Sequence, residues 1–385
     1  MRIAPSLTVV CTVILSACSG GMDNDSSPAR LVAPDGPNLD RSSNSVGQVF
    51  TMSNAVQGNA VLAFSRAADG SLRQAGAYAT GGTGTGAGLG NQGGLALDES
   101  GNWLLVVNAG SNEISAFRVH EGGSLELTDR IPSGGTTPIS LTISRDVVYA
   151  LNAGGAGNIA GFHLRDGKLA AIAGSSRPLS GSDVGPAEIA FDPSGQWLVV
   201  TEKNTNRLST YSINGGVATG PTTTVASGVT PFGFAFSHNG TLIVSEAFGG
   251  APNGSAVSSY ANSGNGTWRV ISGSVPTTET SACWIVVTND GRFTYTTNAA
   301  SGTITGYSVR NGLLSRLSAD GVTADIGTGS SPTEMALSRN SQFLYAFSGG
   351  LHAIVAYSVS SDGSLTSVSG GATGLPNSAN GVVAR

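Results

Sequence analysis

The chain has 385 residues, a formal net charge of -5 and 56 glycines, and 39% of its residues are hydrophobic. This hydrophobic content is sufficient for packed cores and excludes wholesale disorder, while abundant glycine and few charges are typical of turn-rich all-β proteins. With 19 Lys and Arg against 24 Asp and Glu, the chain lacks the basic surface that nucleic-acid phosphates require. We therefore expect no nucleic-acid partner.

The first 18 residues have the pattern of an export signal. Arg2 precedes an apolar run over residues 7–15 that is too short to span a bilayer. The run ends in Leu15-Ser16-Ala17-Cys18, which resembles the lipobox of bacterial lipoproteins, where the cysteine is lipidated and becomes the mature N-terminus. We expect a signal peptide over residues 1–18, lipidation of Cys18 and location in the cell envelope. An ordinary cleaved secretory signal is the alternative.

Residues 19–46 are rich in Ser, Gly, Asp, Asn and Pro and show no apolar periodicity. This composition predicts a flexible polar tether.

A repeat of about 50 residues begins near residue 49 and continues to the C-terminus. It is marked by an aromatic residue that recurs at intervals of 45 to 53 residues. Several short strands per repeat, with glycine-containing turns, are typical of a β-propeller. The sequence therefore predicts one domain over residues 47–385, an all-β, seven-bladed β-propeller of four-stranded antiparallel blades. The seven marker aromatics are Phe64, Phe117, Phe162, Tyr211, Tyr260, Tyr307 and Tyr357.

The second strand of each blade is the clearest element of the repeat. Its nearly continuous apolar character indicates a strand buried on both faces between adjoining blades. The predicted second strands are 49–54, Trp103–Asn108, Val147–Asn152, Trp197–Glu202, Leu242–Glu246, Phe293–Asn298 and Phe343–Ser348.

First strands are expected to begin near Gly94, Ser140, Glu188, Gly233, Trp284 and Glu334. The first copy lacks such a strand, and residues 380–384 repeat its pattern after the last complete copy. We therefore expect the C-terminal strand to join the N-terminal blade, closing the ring and covering its edges.

One face of the predicted disc is polar, because every second strand ends there in a polar residue. In a four-stranded blade the innermost strand begins at the rim where the second strand ends, so this face also receives Glu188, Trp284 and Glu334. His352 follows in the loop after the last second strand. The seven strand ends are Asn54, Asn108, Asn152, Glu202, Glu246, Asn298 and Ser348.

Two interpretations of these polar residues stay open. Asparagines at strand ends commonly cap turns, and we favour that role for them. Glu202 and Glu246 depart from the asparagine pattern, and a carboxylate in a concave site can act as a general base or bind a hydroxyl-bearing ligand. If the protein is catalytic, Glu246 or Glu202 would activate water and Lys203 would stabilise the oxyanion. The candidate ligand-binding residues are Asn108, Asn152, Glu188, Trp284, Asn298, Glu334 and His352.

Trp284 has packing between blades as its alternative role, and the neighbouring Cys283 is interpreted as a small buried residue rather than a catalytic thiol. The four histidines show no metal-binding spacing and no calcium loop is present, so we expect neither a metal nor a cofactor. The glycine-rich run over residues 81–94 lacks the Lys-Ser/Thr of a phosphate loop. It is interpreted as a long connection between the first two blades and a flexible lid over the polar face.

From about residue 49 to residue 384 the chain resembles the lactonase family of seven-bladed propellers, which includes 6-phosphogluconolactonases and carboxymuconate lactonising enzymes. The resemblance is carried by AEIAFDPSGQWLVVTEKNTNRLSTYSI (187–213), PFGFAFSHNGTLIVSEA (231–247) and the repeat over residues 283–309. It implies a sugar-acid lactone bound at the polar face by His, Arg and Glu side chains, without a cofactor. Glu246 matches the acidic residue at the family's strand end.

The chain departs from the family pattern at three places. Glu202-Lys203-Asn204 stands where the family has Asp-Leu-Gly. Gly185-Pro186-Ala187 stands where the family has His-x-His, and Thr230-Pro231-Phe232 stands where many members have Gly-Pro-Arg. The groups that would bind an anionic phosphate or carboxylate are therefore replaced.

Together these features predict an exported, lipid-anchored, monomeric lactonase-like propeller that binds a small lactone or hydroxylated ligand at its polar face. Whether it hydrolyses that ligand stays open. The alternative is a non-catalytic scaffold at the cell surface that binds a protein or a glycan, because propellers serve both purposes.

Overall fold

The computed structural model describes residues 45–385, which fold into seven antiparallel sheets arranged as the blades of a propeller. The predicted fold class is confirmed. Two blades carry an additional two-residue strand, and the helical content of residues 45–385 is limited to two short 3₁₀ turns, Glu121–Gly123 and Phe248–Gly250. The signal peptide, Cys18 and most of the tether lie outside the described residues.

The strands are numbered in chain order. Blade 1 contains β1 (Gly47–Met52), β2 (Ala60–Arg66), β3 (Leu72–Ala79) and β30 (Asn380–Ala384). Blade 2 contains β4 (Leu95–Leu97), β5 (Trp103–Asn108), β6 (Glu113–Val119) and β7 (Leu125–Pro132). Blade 3 contains β8 (Pro138–Ser144), β9 (Val147–Asn152), β10 (Asn158–Arg165), β11 (Lys168–Ala171) and β12 (Arg177–Pro178). Blade 4 contains β13 (Pro186–Phe191), β14 (Trp197–Glu202), β15 (Arg207–Asn214) and β16 (Val217–Val225).

Blade 5 contains β17 (Pro231–Phe236), β18 (Leu242–Glu246), β19 (Ala256–Asn262) and β20 (Trp268–Pro276). Blade 6 contains β21 (Ala282–Val287), β22 (Phe293–Asn298), β23 (Thr303–Arg310), β24 (Leu313–Arg316) and β25 (Ala324–Asp325). Blade 7 contains β26 (Pro332–Leu337), β27 (Phe343–Ser348), β28 (Ala353–Val359) and β29 (Leu365–Thr373).

The ring closes as the sequence predicts. β30 pairs antiparallel with β1, placing Val49 opposite Ala384 and Phe50 opposite Val383. The Thr51 hydroxyl adds a hydrogen bond of 2.5 Å to the carbonyl of Gly381. The innermost strand of blade 1 therefore comes from the opposite end of the chain, which removes the exposed edges that an open array would have.

The second strands form the cores between blades, because their side chains are buried on both faces of the sheet. Six predicted second strands match the observed bounds residue for residue. Blade 1 differs, since β1 covers Gly47–Met52 rather than 49–54. There the chain turns at Asn54, whose φ of 47° lies in the left-handed region.

Five first strands begin two residues earlier than predicted, four of them at prolines, and β4 begins one residue later. The four prolines are Pro138, Pro186, Pro231 and Pro332. The reason is a bulge. The pairing of Pro186 with Glu202 is followed by a register shift before Glu188, so the proline joins the sheet ahead of the regular ladder.

The two faces of the disc differ in the connections they carry. The polar face holds the ends of the second strands, whereas the opposite face, here called the turn face, holds the tight turns between first and second strands. β1 runs from the turn face towards the polar face, so the described chain starts at the turn face. Within residues 45–385, no helix has the length and apolar character needed to cross a membrane.

Candidate functional site

The centre of the polar face is filled by the chain's own residues 89–94, which we call the plug segment. The expected flexible lid is therefore wrong in its placement, because the segment enters the channel between the blades instead of lying over it. Asn91 is fully buried and Gln92 is 8% exposed. The physical reason is that the inner strands leave channel-facing backbone groups unpaired, and the amides of Asn91 and Gln92 satisfy them.

The plug segment hydrogen-bonds to six of the seven blades. The Gln92 side chain donates to the carbonyl of Ile285 at 2.9 Å and accepts from the Ile285 amide at 2.9 Å. The Gln92 backbone amide donates to the carbonyl of Ala187, and the Leu141 amide donates to the carbonyl of Gly93. The Asn91 side chain donates to the carbonyl of Ile139. The segment thus replaces solvent as the partner of the inner strands.

Glycine is needed here because the channel leaves little room. Gly93 has a φ of 83°, and a Cβ on it would lie 2.8 Å from the Ser140 hydroxyl oxygen. On the facing strand, a Cβ on Gly233 would overlap Oε1 of Gln92. The glycine-rich composition of the run is therefore explained by close packing in the channel rather than by phosphate binding.

Four of the predicted site residues meet around the plug segment, and we call them the channel cluster: Glu188, Lys203, Trp284 and Glu334. Lys203 donates from Nζ to the carbonyl of Gly90 at 2.7 Å and lies 4.9 Å from the ring centroid of Phe232. Burial lowers the pKa of Lys203 to about 8. The indole of Trp284 donates to the carbonyl of Asn91 at 2.6 Å, and its ring packs on Phe232 with centroids 4.9 Å apart.

The two carboxyls of the channel cluster have few hydrogen-bond partners. Glu334 accepts a 2.9 Å bond from the Gly93 amide at one oxygen, while its other oxygen is buried and has no partner within residues 45–385. Glu188 accepts a 2.6 Å bond from the Phe234 amide. Burial raises the pKa of Glu334 to about 8. Burial, with a smaller contribution from the nearby Glu334, raises the pKa of Glu188 well above its usual value.

Glu202 lies outside the channel, in a network that joins β14 to its neighbouring loops. Its carboxylate accepts hydrogen bonds from the backbone amide and hydroxyl of Ser180, from Thr205 at 2.9 Å and from Ser209 at 2.7 Å. The side chain is fully buried. A carboxylate engaged by four donors is held as a structural acceptor in this state.

Glu246 has the same kind of surroundings in blade 5. It accepts from the Gly228 amide at 2.8 Å and from the hydroxyls of Ser258 and Ser274 at 2.6 and 2.7 Å. A longer bond of 3.4 Å comes from Tyr260. Burial raises the pKa of Glu246, and the hydrogen bonds oppose that shift. Neither Glu202 nor Glu246 contacts the plug segment.

The predicted asparagines also take part in networks between strands and loops. Asn108 accepts from Thr80 at 2.6 Å and donates to Ser115 at 2.8 Å, and Asn298 donates to Thr303 and Thr305. Asn152 donates to the carbonyl of Ser133 at 3.2 Å. His352 lies in the turn between β27 and β28 with a φ of 49°. These four residues do not converge with the channel cluster.

The sequence interpretation did not single out Asn91 and Gln92. The sequence does contain an indication of their role, because Asn91 and Gln92 are flanked by Gly90, Gly93 and Gly94. Two long amide side chains among glycines suit a segment whose backbone approaches other backbones closely. Within residues 45–385, no cluster of three His, Cys, Asp or Glu has the arrangement of a metal site.

The turn face carries an open cavity of about 670 Å³ around the propeller axis. Its walls are apolar residues of the inner strands, including Phe191 and Phe236, and its rim includes Asp98, Asp192 and Arg339. Asp98 and Asp192 each accept bonds within their own turns, for example from the amides of Trp103 and Trp197 at 2.8 and 2.9 Å. These rim carboxylates are therefore used to hold the turns.

The fold and the site together define a closed seven-bladed propeller with a filled central channel. The family model described as "Lactonase, 7-bladed beta-propeller" matches residues 52–174. This match and the observed architecture confirm the resemblance to the lactonase family of seven-bladed propellers. A search of curated protein sequences found no match to this chain.

Solved structures share the whole fold at low sequence identity. A periplasmic gluconolactonase of Pseudomonas aeruginosa is 17% identical with a TM-score of 0.66, and the alignment covers 87% of this chain and 98% of that one. A proposed 6-phosphogluconolactonase of Bacteroides uniformis is 18% identical with a TM-score of 0.66, covering 87% and 99%. A second one, of Bacteroides fragilis, is 16% identical with a TM-score of 0.64, covering 91% and 99%. At these identities the likeness establishes the fold.

Proposed function

We propose that the protein hydrolyses a small neutral lactone in the central channel of the propeller, reached from the polar face when the plug segment moves aside. The observation that carries this proposal is that Glu334 and Lys203 both hydrogen-bond to one short segment, with Glu188 close enough to Glu334 to interact with it electrostatically. The names of the structurally similar proteins, a gluconolactonase and two proposed 6-phosphogluconolactonases, support a lactone as the substrate class.

Glu334 is the base in this proposal, rather than Glu202 or Glu246, because its carboxyl has one free oxygen and a pKa near 8. Its carboxylate removes a proton from water as the water oxygen attacks the lactone carbonyl carbon. The Lys203 ammonium stabilises the negative charge that develops on the carbonyl oxygen. The ring C–O bond then breaks, and Glu334 returns the proton to the leaving oxygen, which yields the open hydroxy acid.

The electrostatics of the channel favour a neutral substrate. Two buried carboxyls and one lysine leave no surplus positive charge for a phosphate or carboxylate, and desolvating an anion beside Glu188 and Glu334 is costly. Phe232 and Trp284 offer an apolar surface for the ring of the substrate.

A panel of neutral lactones assayed with wild type, Glu334→Gln and Lys203→Met tests the proposal. We expect each variant to lower kcat by about 100-fold. The wild-type rate should pass through a maximum near pH 8, because Glu334 must be deprotonated and Lys203 must be protonated. Glu99→Gln is the matched control, since Glu99 is exposed on the turn face. No turnover of any lactone, or full activity in Glu334→Gln, would refute the assignment and favour a non-catalytic scaffold.

We further propose that the protein is exported and attached to a membrane through lipidated Cys18. Since the described chain starts at the turn face, the tether would place that face towards the membrane and leave the polar face open to solvent. Metabolic labelling with palmitate tests this proposal: label should enter wild type and be absent from Cys18→Ser. Equal labelling of both proteins, or of neither, would contradict it.

A further inference from the structure

We infer that the channel contains a recognition site for a neutral group presenting a hydrogen-bond donor and a carbonyl oxygen side by side, and that Gln92 occupies this site in the resting protein. The inference rests on the proposed function, because it names the substrate feature that would replace the plug segment. The matching ligands are lactams and lactones with a hydroxyl next to the carbonyl.

The geometry of Gln92 supports this assignment. Its carboxamide forms two bonds of 2.9 Å with one residue, accepting from the Ile285 amide and donating to the Ile285 carbonyl. A cis-amide in a lactam ring presents the same donor and acceptor on one edge. A hydroxylated lactone presents them through its hydroxyl and its carbonyl oxygen.

The site is shaped around this group. Gly233 has no side chain where a Cβ would overlap Oε1 of Gln92, and Gln92 is 8% exposed. The Gln92 amide nitrogen also approaches the carbonyl of Phe234 at 3.4 Å. Two carbonyl acceptors and one amide donor do not suit a carboxylate, because two carbonyl oxygens would face its negative charge.

The contacts that hold the plug segment are compatible with displacement of the Gln92 side chain by a ligand. Residues 90–93 are held by hydrogen bonds to backbone groups and to the ends of Lys203, Trp284 and Glu334, whereas Leu89 packs against the cores between blades and Gly94 continues directly into β4. A ligand that reproduces the Ile285 bonds would replace those of Gln92 without leaving buried donors unpaired.

Binding of δ-valerolactam, measured by ligand-observed NMR, tests the inference. We expect Gln92→Ala to bind the lactam at least about 10-fold more tightly than wild type, since each lost hydrogen bond of the occupant is worth about 1 kcal/mol. N-methyl-δ-valerolactam lacks the donor and should bind at least about 10-fold more weakly to the variant. Gln196→Ala is the control, because Gln196 is exposed in a turn on the opposite face.

Equal lactam affinity in Gln92→Ala and wild type would overturn the inference, and so would equal binding of the N-methyl compound. If Gln92→Ala fails to fold, Gln92→Met keeps the length of the side chain and removes its hydrogen bonds, and the same comparison applies. Lactone hydrolysis that is indifferent to Gln92 would leave the proposed function standing and refute the recognition site. Lactam binding by a protein that hydrolyses no lactone would support the recognition site and refute the proposed function.

Discussion

Two sets of buried carboxyls in this propeller differ in how completely they are hydrogen-bonded. Glu202 and Glu246, between strands and loops, each accept bonds from four groups. Glu188 and Glu334, in the central channel, each accept one bond from a backbone amide. Burial alone therefore does not identify a reactive carboxyl. The number of donors around the carboxyl distinguishes a structural acceptor from a group with free capacity.

The largest effect should follow from opening the ring of blades, because the closed ring holds the blades that carry both sets of carboxyls. Deleting residues 379–385 removes β30, exposes the inner edge of blade 1 and takes away the strand beside Glu334. We expect a loss of about 5 kcal/mol or more, a large part of the stability of a typical domain, measured by urea unfolding. A chain lacking only Arg385, which follows β30, should lose less. Identical midpoints for the full and truncated chains would refute ring closure by β30.

Glu246→Ala should destabilise the fold strongly, because it leaves the Gly228 amide and the hydroxyls of Ser258 and Ser274 without their acceptor. The expected cost is about 3–5 kcal/mol in the free energy of unfolding. Glu246→Gln keeps part of the acceptor capacity and should cost less. Glu99→Ala, in an exposed turn, is the control and should be close to neutral. A stable Glu246→Ala protein with lost activity would instead move Glu246 into the chemistry.

Glu334 should contribute to the pH dependence of the free energy of unfolding. Its folded-state pKa is about 8 and its unfolded-state pKa is near the ordinary value of 4.5, so the folded state keeps its proton up to a higher pH. The stability that this proton contributes is complete below about pH 4.5 and is lost as the pH rises towards 8. Glu188 and Glu246 act in the same direction. Lys203, with a pKa of about 8, stays protonated below that pH.

Glu334→Gln should therefore flatten the decline in stability between pH 5 and 8, by about 3–4 kcal/mol, since each pKa unit corresponds to about 1.4 kcal/mol. Thermal unfolding in a series of buffers measures the slope. Asn298→Ala is the comparison, because it changes no titratable group and should leave the slope in place. A Glu334→Gln slope identical to that of wild type would show that Glu334 titrates normally.

The smallest effect is expected at the asparagines of the strand ends. Asn298→Ala removes two hydrogen bonds, to Thr303 and Thr305, and should cost about 1–2 kcal/mol without altering lactone turnover. Urea unfolding and the lactone assay measure the two quantities. Asn298→Ser retains a polar atom and serves as the matched variant. A selective loss of turnover in Asn298→Ala would place this residue in the ligand site.

The periodic parts of the molecule were accessible from the sequence. Strand alternation, turn residues and the recurring aromatics report local preferences, and each repeat confirms the register of the others. For this reason β5, β9 and β14 were predicted to the residue. The extra strand pattern after the last copy likewise predicted that β30 would close the ring.

The channel was not accessible in the same way. Residues 81–94 have no periodicity, and local preferences do not reveal whether a glycine-rich connection lies over a face or enters it. Glu202 and Glu334 are also alike in sequence, as single acidic residues near the polar rim. The number of donors around each carboxyl depends on loops from neighbouring blades, such as Ser180 beside Glu202 and Gly93 beside Glu334.

The sequence by itself thus determined the seven blades, their order and their closure, because short-range patterning and chain connectivity are sufficient for these. Only the tertiary structure decided that Asn91 and Gln92 fill the channel, and that Lys203, Glu188, Trp284 and Glu334 meet there while Glu202 and Glu246 do not. These arrangements depend on contacts between residues far apart in the chain. Gln92 and Ile285 are 193 positions apart, yet they form two hydrogen bonds.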